Sequence, residues 1–196
     1  MTGYVAKVLQ RFNHAKPAIP QHAPHPHVPP NYGSRIQAPQ EDTSEPLPAA
    51  GILRLQQAIG CLLYYGRAVD NTMLKALGSL GAAQSTGTTK TANTLTQLLN
   101  YCATHPEATI RFRASKMILH IHSDGSYLSE TKARSYVAGY FYLSALTKPP
   151  PDNGPVHVIT IILRTIVANA AEVEISGTFH NGQEGVALRN TLAEMG

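Results

Sequence analysis

Apolar side chains at Tyr4, Val5, Val8, Leu9 and Phe12 recur at helical intervals, so they share one face and predict a short amphipathic helix. From His14 to Pro48 no period of 2 or 3.6 survives, and prolines block both helix and sheet ladders, which predicts an irregular or polyproline II tether. The helical pattern returns over 50–81. Ile52, Leu55, Ile59, Leu62 and Leu63 line one stripe, and Met73, Leu74 and Leu77 a second. Asp70 is placed to cap the second of these helices by accepting an orphan backbone N–H, with Asn71 as the alternative cap. A polar turn over Ser85 to Thr91 leads to Ala92, Leu95, Leu98, Leu99 and Cys102, a third helix that stops before Pro106.

Past Pro106 the period shortens. Met117 to Ser123 is β-prone and runs into Asp124-Gly125, a pair that signals a turn. Tyr136 to Leu143 and Val156 to Ile166 are two further strand candidates, joined by a proline-rich loop that suits a hairpin-like excursion. Ala170 to Met195 reads as a helix in which Gly177, Gly182 and Gly185 each cost about 1 kcal/mol relative to alanine. The expected fold class is α+β, with helices first, then three strands and a packed helix.

Composition narrows the function classes. With 196 residues, 43% of them hydrophobic, the chain is long enough to bury a core. A formal charge of +4 and a pI near 9.1 suit a polyanionic partner, but only 14% of residues are charged, so nucleic acid is permitted rather than demanded. Cys61 and Cys102 belong to no zinc spacing and are expected to be free, buried thiols. No window is apolar enough for a membrane span and no signal-peptide core opens the chain, so no membrane partner is expected, and the location expected is intracellular, cytoplasmic or nuclear. The sequence reads as a piece of something longer.

Four segments carry a resemblance. Ile59 to Asp70 (IGCLLYYGRAVD) looks like the Gly-x-Leu-Leu-Tyr helix and Arg-x-x-Asp turn that follow the polymerase in copia-type retrotransposon polyproteins, and Thr96 to Tyr101 matches the next helix. His122 to Tyr127 (HSDGSY) resembles the opening catalytic strand of ribonuclease H domains, and Tyr136 to Leu143 the second strand. Ala170 to Glu174 (AAEVE) resembles the box that starts their first helix, while Tyr4 to Phe12 is similar to the helix beyond the polymerase palm. The resemblance implies an end of reverse transcriptase over 1–13, a Pro/His-rich linker over 14–49, a helical connection over 50–114, and the N-terminal part of a ribonuclease H-like domain over 115–196. That domain would hold an incomplete three-stranded sheet with a packed helix. The family implies an RNA–DNA hybrid as substrate, hydrolysis of its RNA strand, and Mg²⁺ or Mn²⁺ as cofactor. No Tyr-x-Asp-Asp motif is present, so polymerisation is not expected of this chain.

Cleaving a phosphodiester with two metal ions needs several carboxylates converging from separate elements. By position in the resemblance, Asp124 on the strand and Glu174 on the helix are the catalytic and metal-binding residues; Glu174 is preferred to Glu172 as the second Glu of the box. The family's third carboxylate stands on a strand after the helix. The chain reaches Gly196 without it, so an enzyme fragment inactive alone, completed by the remaining polyprotein segments, is the expectation. The alternative is a noncatalytic nucleic-acid-binding or structural remnant. By itself Asp124-Gly125 is also an ordinary turn pair, and Glu174 an ordinary solvated helix residue.

Other candidates have plainer rivals. Arg111, Arg113, Lys116, Lys132 and Arg134 could contact phosphates or form a solvated rim. His120 and His122 share a strand face with Asp124 and read as satisfied sheet histidines that could tune the site. His22, His25 and His27 are metal-ligand types, but in a proline tether they have no fixed geometry and read as linker. Tyr64 and Tyr65 read as core and interface packing. Absent later strands, the first or third strand would be a sheet edge.

Overall fold

The computed structural model describes residues 1–27 and 38–196, so part of the expected tether lies outside the described residues. Backbone contacts divide the chain into two units; among the described residues the first holds 1–27 and 41–109 and the second 38–40 and 110–196. The first is helical, and the second is a three-stranded antiparallel sheet with one helix; together they make the α+β class expected. Among the described residues no helix is long and apolar enough to cross a membrane.

In the helical unit, α1 (Tyr4–Arg11), α2 (Ala49–Ala68), α3 (Leu74–Ala83) and α4 (Thr89–Thr104) surround one apolar cluster. The longest, α2, buries Leu55, Ala58, Ile59, Leu62, Tyr65 and Gly66, positions three or four apart that form one stripe. Removing a side chain such as Leu62 from water contributes about 1.5–3 kcal/mol. Gly66 allows α3 to close in, since a Cβ there would stand 2.9 Å from Leu77 Cδ1.

Two adjacent polar residues end one helix and start the next. Asn71 Nδ2 donates to the carbonyls of Gly66 and Arg67 at the end of α2. Asp70 accepts from the Thr72 amide and hydroxyl, capping the 3-10 turn Asn71–Met73 that runs into α3, and its other oxygen accepts from the buried Tyr101 hydroxyl at 3.3 Å. At α4 the expected turn is shorter. Thr88 and Thr91 form a capping box, so the helix begins at Thr89 rather than at Ala92. Asp42 accepts from the Ser44 amide and hydroxyl and from the Thr88 hydroxyl, and these bonds pull its carboxyl down to about 2.

Cys102 is buried as expected, and burial followed by the nearby Asp70 charge pushes its thiol up to about 12. Cys61, expected to be buried, is only half-buried. It lies at the margin between α1 and α2, where Arg11 Nη1 approaches its sulfur at 3.5 Å and the Tyr4 hydroxyl bonds its carbonyl. Tyr65 is core and stacks on Tyr4, whereas Tyr64 is exposed.

In the second unit the strands β1 (Ile118–Glu130), β2 (Arg134–Ser144) and β3 (Pro155–Ile162) pair in the order β1-β2-β3, so β1 and β3 are the sheet's edges among the described residues. Asp124-Gly125 does not make a turn. β1 continues through it, pairing Asp124 with Ala138 and Gly125 with Val137. The chain reverses at Thr131–Ala133 instead, where Lys132 and Ala133 take φ of 61° and 53° without a glycine. A bulge separates Ser126 from Glu130, and the Ser135 hydroxyl fills it by accepting the Leu128 amide at 3.0 Å. β3 ends at Ile162, short of the expected Ile166; the Leu163 amide still bonds the Ser135 carbonyl, one step beyond the Tyr136–Ile162 pair, and the chain then bends over 164–169 toward α5.

Helix α5 (Ala170–Met195) starts at Asn169, whose side chain accepts the Glu172 amide at 2.9 Å. Glu172 in turn accepts from the Ala168 amide at 2.7 Å. The buried residues of α5 are Val173, Gly177, Asn181 and Gly185, spaced four apart. Gly177 and Gly185, which weaken the helix in isolation, therefore form the face that meets the sheet. A Cβ at Gly185 would stand 2.5 Å from Ile121 Cδ1, and one at Gly177 3.2 Å from Ser123 Oγ.

Candidate active site

Side chains alternate across the sheet, so one face of β1 carries Ile121, Ser123 and Gly125 and the other His120, His122 and Asp124. The first set touches α5. A Cβ at Gly125 would lie 2.5 Å from Val173 Cγ1 and 3.4 Å from the Val173 carbonyl carbon, a contact only glycine permits. Asp124 precedes Gly125 and Glu174 follows Val173, so this single contact brings the chain neighbours of both candidate carboxylates together. Asp124 itself is on the sheet face turned from α5, and Glu174 is on the first turns of α5; both side chains are exposed.

Asn181 fixes the backbone beneath Asp124. It is 2% exposed, and its Nδ2 donates to Ser123 Oγ at 2.7 Å and to the Ala138 carbonyl at 3.0 Å. Ser123 adjoins Asp124 along the strand, and Ala138 is its partner across the ladder. Gly139 leaves room for the amide, because a Cβ there would collide with Asn181 Oδ1. Nothing in the sequence analysis singled out Asn181 or explained these glycines. The available signal was the Gly177-x-x-x-Asn181-x-x-x-Gly185 spacing, a small-polar-small stripe along one helix face. At the start of α5, the Tyr127 hydroxyl donates to the Ala168 carbonyl at 2.7 Å and ties β1 to the segment that precedes the N-cap.

The histidines beside Asp124 have partners. His120 Nε2 is 3.1 Å from the Ala145 carbonyl and its ring stacks on Tyr142, while His122 Nε2 is 3.0 Å from the Tyr142 hydroxyl. No family model, curated protein or solved structure matches the chain.

The five candidate cations do not form one patch. Arg111, Arg113 and Lys116 are exposed on the stretch before β1, where Asn153 clamps the Arg113 backbone by accepting its amide at 2.7 Å and donating to its carbonyl at 2.9 Å. Lys132 and Arg134 stand at the β1–β2 turn. Since Ile118 pairs with Ser144 at one end of this hairpin and Glu130 with Arg134 at the other, the two groups are on the order of 40 Å apart along the strand. Asp124 lies between them.

Among the described residues no group of three or more His, Cys, Asp and Glu side chains could hold a metal ion. Asp124 and Glu174 are hard oxygen donors of the type Mg²⁺ and Mn²⁺ prefer; the structure joins their chain neighbours, Gly125 and Val173, while the two side chains leave from the sheet face turned from α5 and from α5 itself.

Proposed function

We propose that residues 115–196 are the N-terminal part of a ribonuclease H-like domain and that the preceding segments are the polymerase-to-nuclease connection of a copia-type retrotransposon polyprotein. Its substrate is an RNA–DNA hybrid. Asp124 and Glu174 contribute ligands for Mg²⁺ or Mn²⁺, and the remaining ligands come from other segments of the polyprotein. When bound, the ions activate water and stabilise the leaving oxygen. The protein's own part is positional: Asn181 and the Gly125–Val173 contact hold the strand and helix from which the two carboxylates project. With two carboxylates alone, this chain does not cleave.

The observation that supports this reading best is the Gly125–Val173 contact, because it joins the two segments that carry the resemblance at the positions beside their acidic residues. The test is cleavage of a labelled hybrid in Mg²⁺ and in Mn²⁺ by the 196-residue chain and by a chain extended with the C-terminal segment of a ribonuclease H domain. The first is expected to be inactive. The second is expected to cleave, and to lose cleavage in both Asp124→Asn and Glu174→Gln. Cleavage that survives Asp124→Asn would remove Asp124 from the site, and hybrid binding without cleavage in the extended chain would favour the noncatalytic module.

A further inference from the structure

His22 belongs to a proline-rich segment whose sequence fixes no geometry, yet the fold pins it on both sides to α4. The Gln21 amide donates to Thr104 Oγ1 at 3.0 Å, and the Ala23 carbonyl accepts from Gln97 Nε2 at 3.0 Å. Pro20 and Pro24 bracket this stretch and restrict its backbone further. Upstream, His14 Nε2 lies 2.8 Å from Asn100 Oδ1, a third attachment to the same helix. Held there, His22 brings its Nδ1 to 3.0 Å from Nε2 of His105, the residue that ends α4. The two ring centroids are 5.1 Å apart with planes at 57°, and the Tyr101 ring supports His105 from 5.0 Å. His22 is exposed and His105 half-buried, so solvent reaches the pair.

We propose that His22 Nδ1 and His105 Nε2 chelate a divalent ion of the imidazole-preferring class, Zn²⁺, Ni²⁺ or Cu²⁺, with water completing the shell. Two neighbouring ligands ~2.05 Å from such an ion stand about 2.9 Å apart in square-planar geometry and about 3.3 Å apart in tetrahedral geometry. The observed 3.0 Å falls inside that range, and with the ion ~2.05 Å from each nitrogen both lone pairs turn by about 40° off the line between them to meet on it. The proton shared between the rings in the ion-free pair moves to the outer nitrogen of its own imidazole, leaving both inner nitrogens free to ligate. Because the backbone at 21 and 23 is already bonded to α4, little ordering is left for the ion to impose.

No third His, Cys, Asp or Glu joins the pair among the described residues, so the protein supplies two ligands. This site differs in chemistry from the carboxylates, which suit hard ions. Its effect is to bolt the segment after α1 onto the end of α4, and binding to the folded state alone raises the stability of the helical unit.

Calorimetric titration of the full chain with Zn²⁺ tests this, beside His22→Gln, His105→Gln and a His25→Ala/His27→Ala double variant. One equivalent is expected for the parent, with a loss of about tenfold or more in affinity in each Gln variant, the scale on which even outer partners of ligating histidines act. The double variant is expected to bind like the parent. Circular dichroism checks that the Gln variants remain folded, and the rise in melting temperature on adding Zn²⁺ should vanish in both. Absence of saturable binding overturns the proposal, as do unchanged affinities in the Gln variants. Loss of binding in the double variant also overturns it, by placing the ion on the other two histidines.

Discussion

The two units are held together by different means. In the helical unit, seventeen buried residues among those described, drawn mainly from Leu, Ile, Val and Tyr, pack into one cluster. The corresponding cluster in the sheet unit contains Val137, Leu163, Val167 and Val173, with Tyr127 against it. There the contact between layers relies on small residues: Gly125, Gly139, Gly177 and Gly185 let α5 approach the strands, and Asn181 bonds across the gap. An apolar cluster tolerates rearrangement and takes most of its stability from buried area. A close contact through glycines gains little area and depends on fit, but it fixes backbone positions within narrow limits. The unit with the smaller cluster is the one that carries Asp124 and Glu174.

The contrast can be broken first from the helical side. Leu98→Ala removes a fully buried side chain and is expected to cost about 2–5 kcal/mol. Hydrogen exchange should show the loss in α2 to α4 while the amides of β2 keep their protection. Gly139→Ala attacks the other unit by driving a methyl group into Asn181, with an expected cost of about 1–3 kcal/mol. The same exchange measurement should then show weakened β2 and α5 and an unaffected helical unit.

Gly182 sharpens the comparison within α5. A Cβ there meets nothing within 4 Å, so Gly182→Ala should stabilise the helix by about 1 kcal/mol, whereas the same change at Gly177 meets Ser123. The temperature of thermal unfolding should therefore rise clearly in Gly182→Ala and by less in Gly177→Ala, where a Cβ 3.2 Å from Ser123 Oγ offsets part of the same helix gain.

The smallest effect concerns Asp42. Its carboxyl is held at about 2 against an ordinary 3.8, so its charged form stabilises the folded helical unit above pH 3.8, and that contribution fades as pH falls through 2. Asp42→Asn should lower the melting temperature at pH 5 and leave it nearly unchanged at pH 2. A difference that persists undiminished at pH 2 would mean that Asp42 acts through something other than its charge.

Much of the helical unit was legible because its period is regular. The stripe of α2, the Asp70 cap and the stop before Pro106 are local features whose physics lies within a few neighbours. The strands were legible as β-prone runs, but their ends were not. Asp124-Gly125 favours a turn locally, and it stays extended because Ala138 and Val137 pair with it and Val173 covers the glycine. Lys132 and Ala133 turn the chain without turn residues, since the strands on either side fix where the reversal falls. Of the candidate site, Asp124 and Glu174 could be named from motifs, but Asn181 could not, because a buried polar residue in a helix makes sense only once its partners on β1 and β2 are known.

The sequence by itself determined the α+β order of elements, the caps that depend on neighbouring residues and the types of side chain available for chemistry, because each rests on short-range periodicity and bonding. Tertiary structure alone decided which residues meet. It turned glycines that weaken an isolated helix into the contact surface of α5, and it placed His22 of a proline-rich segment against His105, more than eighty residues away. Local propensity is a property of neighbours in the chain, whereas these contacts arise from backbone bonds between distant segments. Only the folded chain makes them.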